Sequence, residues 1–252
     1  MTMKVYINNF KVWLQGVDDT ATLTLWANDN FSLPKNFVPP KPQYYPKGQL
    51  RRLSPFSKVV LHCLDFPHAL THNLPLIFAS QHGDLAKTVT LIKDAALGED
   101  LSPTQFALSV HNATTGLFSI ATDNSAPTTT ISAGSNTFVE GLIEAAMQSQ
   151  QDSQQESTSV LYSYCDFDVP EEYRQFEKFK PARCITMLLS SERSRDNLAA
   201  IDFSLNHQNI ECEEQLSADI SLDFIRLFYL QQQQLMKNKR HSLYLNFTAC
   251  NE

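Results

Sequence analysis

The chain has 252 residues, of which 42% are hydrophobic and 19% are charged, as in an ordinary folded soluble protein with a sizeable core. Its formal net charge of −7 excludes a general nucleic-acid binder, because the phosphate backbone requires a basic footprint. The N-terminal sequence has no signal-peptide pattern, and no stretch approaches the roughly 18 apolar residues of a membrane span. We therefore expect a cytoplasmic protein.

The five cysteines are scattered along the chain, odd in number and without a C-x-x-C pair. This pattern indicates neither a zinc cluster nor a disulfide framework, and free thiols in a reducing compartment are the simplest interpretation. The carboxylates also lack the spacing that a metal or glycosidase site requires. We expect no metal site and no cofactor.

The N-terminal quarter predicts a strand, an irregular segment and a helix. Lys4–Leu14 alternates partly and reads as the first strand, and residues 29–48 hold five prolines with little periodicity. Ser54 followed by Pro55 has the form of a helix cap with proline at the first helical position.

The next segment continues the alternation of strands and helices. Leu74–Ala79 is a short apolar run, typical of a strand covered on both faces. Asp84 can cap the helix that follows, in which Leu85, Val89, Ile92 and Ala96 fall on one predicted apolar stripe. Ser102–Gln105 then has the form of a capping box.

A further strand is predicted at Thr128–Ser132, and a further helix with an apolar face for burial begins at about Gly134. Together these elements make residues 55–190 alternate between strand and helix, which favours an α/β layer architecture with a mainly parallel sheet. The remaining predicted elements are a polar low-complexity loop, two strands and a final helix, at 148–158, Ser159–Phe167, Arg183–Ser190 and about Ala218–Met236.

Three segments carry a resemblance to a known family: Phe78–Gly83, Ser102–Asn112 with Gly116 a turn later, and Thr128–Thr137. Together they resemble the N-terminal half of β-ketoacyl synthases, the condensing enzymes of the thiolase fold. More narrowly, the chain resembles the short ketoacyl-synthase-like proteins of bacterial aryl polyene biosynthesis.

The resemblance implies an α/β, thiolase-like fold. The expected architecture is the N-terminal half of that fold, with layered helices on a mainly parallel five-stranded sheet, and with the second half truncated. We expect a single ketosynthase-like domain over residues 1–252, with a core at about 55–190 and a divergent C-terminal extension at about 191–252.

The resemblance also implies that the catalytic nucleophile is missing. In the family, the third segment leads into a buried helix that begins at the catalytic cysteine, within a T-A-C-S-S pattern. A helix N-terminus favours a thiolate and stabilises an oxyanion. Here the pattern reads Ser132-Ala133-Gly134-Ser135, so Gly134 stands at the nucleophile position. The family's two histidines lie in its C-terminal half, one beside a glycine-rich turn, whereas residues 142–252 contain no glycine. We predict no catalytic residue in this chain.

The function implied by the resemblance is that of a chain length factor in a heterodimer with a ketosynthase that elongates carrier-protein-bound polyene chains. Acyl carrier protein is acidic, as this chain is, so its docking is expected mainly on the ketosynthase. Two heterodimers could associate further. Phe106 and Phe118 are predicted to shape the acyl tunnel. The predicted partner interface consists of Phe106, Ser109, His111, Asn112, Thr128, Thr129, Thr130, Ile131 and Ser132.

Two other functions stay open at this point. The chain could be an independent acyltransferase or hydrolase that uses Ser135, or a cysteine, with His82 or His111 as the base. Against this, Ser135 is as well explained by helix capping, and either histidine by a local hydrogen bond. Alternatively, the chain could be a scaffold that binds several pathway proteins without shaping a tunnel.

Overall fold

Nine α-helices are present in the part of the chain that a computed structural model describes, which comprises residues 2–45, 47–150, 159–205, 217–237 and 241–247. The helices are α1 (Thr20–Ala27), α2 (Lys47–Leu50), α3 (Pro55–Leu64), α4 (Pro67–Thr71), α5 (Leu85–Ala96), α6 (Pro103–Ala107), α7 (Ala113–Thr122), α8 (Thr137–Gln150) and α9 (Ile220–Leu230). The predicted caps are confirmed, since the side chains of Ser54, Asp84 and Ser102 accept hydrogen bonds from the first turns of α3, α5 and α6.

Eight described strands form one mixed sheet. They are β1 (Thr2–Leu14), β2 (Leu76–Ala79), β3 (Thr128–Ile131), β4 (Val160–Asp166), β5 (Arg183–Ser190), β6 (Ala199–Leu205), β7 (Leu235–Lys237) and β8 (His241–Asn246), in the order β3-β2-β4-β5-β1-β6-β8-β7. Only β3, β2 and β4 pair in parallel, and every other pairing is antiparallel. The prediction of a mainly parallel five-stranded sheet is therefore wrong. The reason is that β1 lies in the middle of the sheet and the C-terminal strands extend it beyond β1.

The sheet is covered on both faces by helices. Strands β2, β4 and β5 are buried along their whole length, as their apolar sequences predict. On one face, α3 and α7 pack on Leu76, Phe78 and Leu161 in one apolar core cluster. On the other face, α8 and α9 pack on Ile77, Ala79 and a second, larger cluster.

Helix α8 lies close against the strands because it presents a glycine to them. A Cβ added to Gly141 would lie 2.7 Å from the Ala79 Cβ and 2.9 Å from a ring carbon of Tyr162. The Tyr162 hydroxyl donates a 2.6 Å hydrogen bond to the Phe138 carbonyl oxygen. This contact fixes the start of α8 over β4.

The opposite side of α8 is covered by the C-terminal part of the chain. The Phe138 ring packs edge-to-face on Phe224 of α9, with centroids 5.4 Å apart. The Glu140 carboxylate and the His241 imidazole of β8 are 2.9 Å apart. The predicted C-terminal extension thus supplies α9 and three sheet strands that enclose the helix.

Two helix predictions require correction. The predicted stripe on α5 is wrong, since Ile92 is exposed and Val89 and Leu91 are the buried residues; α5 contributes nothing to either core cluster and packs against α6 instead. The final helix ends at Leu230 rather than Met236, because Gln231 adopts a positive φ of 50° that terminates it.

The first part of the predicted polar loop at 148–158 is helical. Residues 148–150 belong to the last turn of α8, and residues 151–158 lie outside the described ranges. The other predicted strands and the helix after Gly134 are confirmed, including the buried apolar face of α8.

Candidate functional site at the end of the parallel strands

The carboxyl ends of the three parallel strands lie side by side, and a buried carboxylate there binds the loop after β2. Asp166, at the end of β4, accepts hydrogen bonds from the Ser80 hydroxyl at 2.9 Å and from the backbone N–H groups of Gln81 and His82 at 2.9 and 3.3 Å. Only 3% of Asp166 is exposed, so these donors replace the water that the charge has lost. Ligands of open α/β sheets bind at such carboxyl ends of parallel strands.

Gly134 lies beside this loop, in the turn between β3 and α8. It begins a single 3₁₀ turn (Gly134–Asn136) with a φ of +58°, a left-handed conformation that favours glycine. A Cβ built at Gly134 would meet no atom within 4 Å. The Thr137 hydroxyl donates to the Gly134 carbonyl at 2.7 Å and accepts from the Ala133 N–H at 2.8 Å. The start of α8 is therefore held firmly, with open space over Gly134.

A polar cavity of about 370 Å³ opens next to this turn. The start of α8 and the start of α9 both border it, with the 3₁₀ turn on one side and the Asp219 cap of α9 on the other. None of its described lining residues is a histidine. The lining residues are Gln81, Ser135, Asn136, Phe138, Val139, Tyr164, Lys180, Arg183, Ser217, Ala218, Asp219, Ile220 and Ser221.

Arg183 lines the cavity and is held by several hydrogen bonds. Arg183 is 2% exposed and donates to Asp219 at 2.8 Å, to the Ser221 hydroxyl at 2.6 Å and to the Tyr164 hydroxyl at 3.0 Å. Burial alone would lower the pKa of Arg183, but Tyr164 and the Asp219 carboxylate outweigh burial and raise it. The guanidinium therefore stays charged and ties β5 to the start of α9.

Neither of the two histidines proposed as its base forms a hydrogen bond with Ser135 within the described ranges. The His82 imidazole is 2.7 Å from the Glu177 carboxylate, and Glu177 also receives Lys180 at 2.7 Å. The His111 ring packs on Gly83, whose added Cβ would lie 3.1 Å from it. Neither histidine lines the cavity that Ser135 borders.

The three described cysteines lie in the interior of the protein. Cys63, Cys165 and Cys184 are all fully buried. Burial raises the pKa of the Cys63 and Cys165 thiols well above the ordinary value, which favours the unreactive protonated form. Cys165 and Cys184 face each other across β4 and β5.

The predicted interface residues Thr128–Ser132 form and follow the outermost strand of the sheet. Among the described strands β3 pairs only with β2, which leaves its other edge open in the part of the chain that the structure describes. Thr128 is exposed and Thr129, Thr130 and Ile131 are half-buried. The Ser132 hydroxyl donates to the Gln81 carbonyl at 2.9 Å, which joins this strand end to the loop that Asp166 holds.

The other predicted interface residues lie on and after α6. Phe106 is 59% exposed, and the Ser109 hydroxyl donates to its carbonyl at 2.8 Å. Asn112 is exposed and its carbonyl accepts from the Thr115 hydroxyl at 2.9 Å. His111 has a buried Nε2 with no hydrogen-bond partner among the described residues.

The two predicted tunnel residues lie in different environments. Phe106 projects into solvent from α6, which has no buried residue. Phe118 of α7 is completely buried in the core cluster on the α3 side of the sheet. Of the two, only Phe106 is therefore available to a partner.

Sequence reasoning missed the polar network of Asp166, Arg183 and Asp219. Its signal was present, because Asp166 ends one predicted strand and Arg183 begins the next, and polar residues at strand ends are frequent site residues. Asp219 was not predicted to cap the final helix, because that helix was predicted to begin at about Ala218. In the structure it begins at Ile220, with Asp219 as its cap.

Within the described ranges, no helix has the length and apolarity needed to cross a membrane, and no group of three or more His, Cys, Asp or Glu residues is arranged to hold a metal ion.

Comparison with solved structures shows a ketosynthase-like fold. A chain of the ketosynthase (ApeO) in complex with its chain length factor (ApeC) from Xenorhabdus doucetiae aligns over 97% of this chain and 99% of its own length, with a TM-score of 0.74 and 20% identity. A β-ketoacyl synthase from Burkholderia phymatum aligns over 91% and 71%, with a TM-score of 0.59 and 12% identity. The AntDE:AntF complex of a type II polyketide acyl carrier protein with its ketosynthase aligns over 98% and 100%, with a TM-score of 0.64 and 10% identity.

The sequence comparisons assign the family. No curated protein matches the sequence. The family model for the β-ketoacyl synthase N-terminal domain matches residues 24–244, which is most of the chain. The chain therefore belongs to the β-ketoacyl synthase N-terminal domain family.

Proposed function

We propose that this chain is a non-catalytic, chain-length-factor-like subunit that pairs with a ketosynthase, and that the ketosynthase elongates polyene chains bound to acyl carrier protein. The observation that carries the proposal is Gly134. It begins the turn into α8, and the resemblance of Ser132-Ala133-Gly134-Ser135 to the family's T-A-C-S-S pattern assigns it the position of the nucleophilic cysteine. Because glycine has no side chain, it cannot accept an acyl group.

The surroundings of Gly134 support the absence of chemistry in this chain. Among the described residues Ser135 forms no hydrogen bond with a histidine, and Arg183 is bonded to Asp219, Ser221 and Tyr164. A serine needs a nearby base to become a nucleophile. We infer that the reacting cysteine of the complex is the partner's.

The likeness in length supports the same role. The matched chain of the ApeO–ApeC complex is covered over 99% of its length by 97% of this chain, so the two are of nearly equal size. That complex unites a ketosynthase with a chain length factor. We propose that this chain pairs one-to-one in the same manner, and two such pairs could associate.

The open edge of β3 is the proposed pairing surface. An edge strand with unpaired N–H and C=O groups is a ready template for another strand, and monomeric proteins protect such edges with charges or bulges. β3 is Thr-Thr-Thr-Ile, with neither device. The side chains proposed to join it at the interface are Phe106, Ser109, His111 and Asn112.

Tunnel shaping is proposed for Phe106 alone, because Phe118 is enclosed in this chain's own core. A bulky exposed ring near the partner's acyl tunnel would limit the length of chain that the tunnel accepts. The acidic net charge of −7 disfavours encounter with an acidic carrier protein, so the carrier is proposed to dock mainly on the ketosynthase.

Co-expression with a ketosynthase from the same genome tests the proposal. Size-exclusion chromatography with mass determination should give a stable one-to-one complex. A well-folded monomer that ignores the ketosynthase would contradict it.

The tunnel assignment is tested in that complex by product length. We expect Phe106→Ala to lengthen the products and Phe106→Trp to shorten them. Phe176→Ala is the matched control, because Phe176 is also exposed but lies in the segment after β4. An unchanged product distribution in both Phe106 variants would refute the tunnel-shaping role of Phe106. It would favour the alternative in which the chain is a scaffold for pathway proteins.

A further inference from the structure

The segment of the chain that contains β3 has no lysine or arginine. Residues 94–173 hold twelve aspartates and glutamates but no lysine or arginine, although the chain has 20 Lys and Arg in all. This segment includes α6, α7, β3, α8 and β4. Strand β3 and helices α7 and α8 therefore contain no lysine or arginine.

One carboxylate of this segment lies beside the open edge. The Gln148 amide of α8 donates to the Thr129 hydroxyl of β3 at 3.5 Å and to the Glu144 carboxylate at 2.8 Å. Glu144 is half-buried and forms no ion pair with any described residue. Its charge is thus held next to the middle of β3, with a neutral amide as its hydrogen-bond donor.

Exposed apolar side chains accompany this charge on the two flanking helices. Met147 of α8 is 44% exposed and Ile120 of α7 is 73% exposed. Apolar area of this kind favours burial against another chain. The charge of Glu144 bears on whether that other chain is a second copy of this one or a different protein.

If two copies of this chain paired through β3, the Glu144 carboxylate of one copy would lie close to the Glu144 carboxylate of the other. Two identical edges extend a sheet by running antiparallel about a twofold axis, which here passes near Thr129 and Thr130. The two α8 helices would lie on the same side of the sheet, and each Glu144 would face the other's. No lysine or arginine of either α8, β3 or α7 is available to separate them. Like charges brought together in an interface oppose association.

We propose that Glu144 is a partner-selecting residue, which disfavours pairing of this chain with itself and favours a different chain with a lysine or arginine beside its matching strand edge. This inference rests on the proposed function, in which that chain is the ketosynthase. The heterodimer thus owes part of its specificity to a charge that a homodimer cannot neutralise.

The lone chain tests the first part. At concentrations where wild type is monomeric by sedimentation, we expect Glu144→Gln to form dimers with at least a tenfold lower dissociation constant, since glutamine keeps the bond to Gln148. Glu192→Gln removes the same charge on the loop after β5, roughly 14 Å from β3 across three strand spacings, and should leave the chain monomeric. Dimerisation of wild type equal to that of Glu144→Gln would overturn the proposal.

The ketosynthase complex tests the second part. We expect Glu144→Lys to weaken binding at least tenfold at low salt, with a smaller loss at high salt, and Glu192→Lys to bind as wild type does. If wild type binds the ketosynthase and Glu144→Lys binds equally well, the selection by Glu144 is refuted while the proposed function stands. If wild type does not bind the ketosynthase, the proposed function fails, and the lone-chain comparison alone then decides whether Glu144 opposes self-pairing.

Discussion

Replacing Gly141 by alanine probes how closely α8 lies against the sheet that positions the candidate site. The added Cβ would lie 2.7 Å from the Ala79 Cβ and 2.9 Å from a Tyr162 ring carbon, and both neighbours are fully buried. Carbon atoms pack at about 3.5–4.0 Å, so the helix must move away. Overpacking costs about 1–3 kcal/mol, and the better helix propensity of alanine offsets about 0.5–1 kcal/mol of that. We expect Gly141→Ala to lower the free energy of unfolding by about 1–2 kcal/mol.

Gly116 is the matched control, since it is also helical but nothing lies within 4 Å of an added Cβ. Gly116→Ala should raise the free energy of unfolding by about 0.5–1 kcal/mol. Urea unfolding followed by circular dichroism measures both variants. In thermal unfolding, a gap of about 2 kcal/mol corresponds to a separation in Tm of about 4–8 °C. Equal stabilisation by the two substitutions would refute the close approach of α8.

The remaining predictions concern buried charge. Arg183→Met removes the nearer of two cations from the Asp219 carboxylate, which keeps Lys180 at 4.0 Å. Urea unfolding should show a loss of about 3 kcal/mol, the lower end of the range for a broken buried pair. Lys4→Met, which breaks an exposed ion pair, should cost less than about 1 kcal/mol, and equal losses would contradict the role of Arg183. Burial raises the pKa of Asp65, so its contribution to stability is fully present below the ordinary aspartate pKa and is lost as pH rises through the folded-state value. Unfolding curves from about pH 4 to 7 should show Asp65→Asn gaining on wild type with rising pH, whereas a constant difference would be evidence against it.

Local signals in the sequence predicted most of the elements that build the site. The caps at Ser54, Asp84 and Ser102 are read from residue types that act within four residues, and each is confirmed. The apolar run of β2 and the glycine that opens the turn into α8 are local features of the same kind. Such features depend little on the rest of the fold.

Pairing between distant segments could not be predicted in the same way. β1 alternates as any half-buried strand does, and nothing in its sequence shows that it lies between β5 and β6. The stripe on α5 failed for a related reason, because periodicity shows which residues share a face but not which face meets the core. Gln231 ended the last helix through a left-handed conformation that glutamine seldom adopts, so the polar run gave no stop signal.

In the candidate site, too, the local features could be predicted from the sequence and the long-range contacts could not. Gly134 was identified from a motif, and its turn at the start of α8 is a local structure. The contacts that surround it join residues far apart in the chain, as in the bonds from Arg183 to Asp219 and from the Ser80 loop to Asp166. Single-sequence patterns contain the residue types of such a network but not their distances.

Intact-protein mass spectrometry of the co-expressed complex, after incubation with acyl-loaded carrier protein and no extender unit, tests the central claim most directly, because the transferred acyl group then stays on the enzyme. The account predicts a one-to-one complex in which the acyl mass is found on the ketosynthase and this chain keeps its unmodified mass. An acyl adduct on this chain, at Ser135 or elsewhere, would contradict a non-catalytic role.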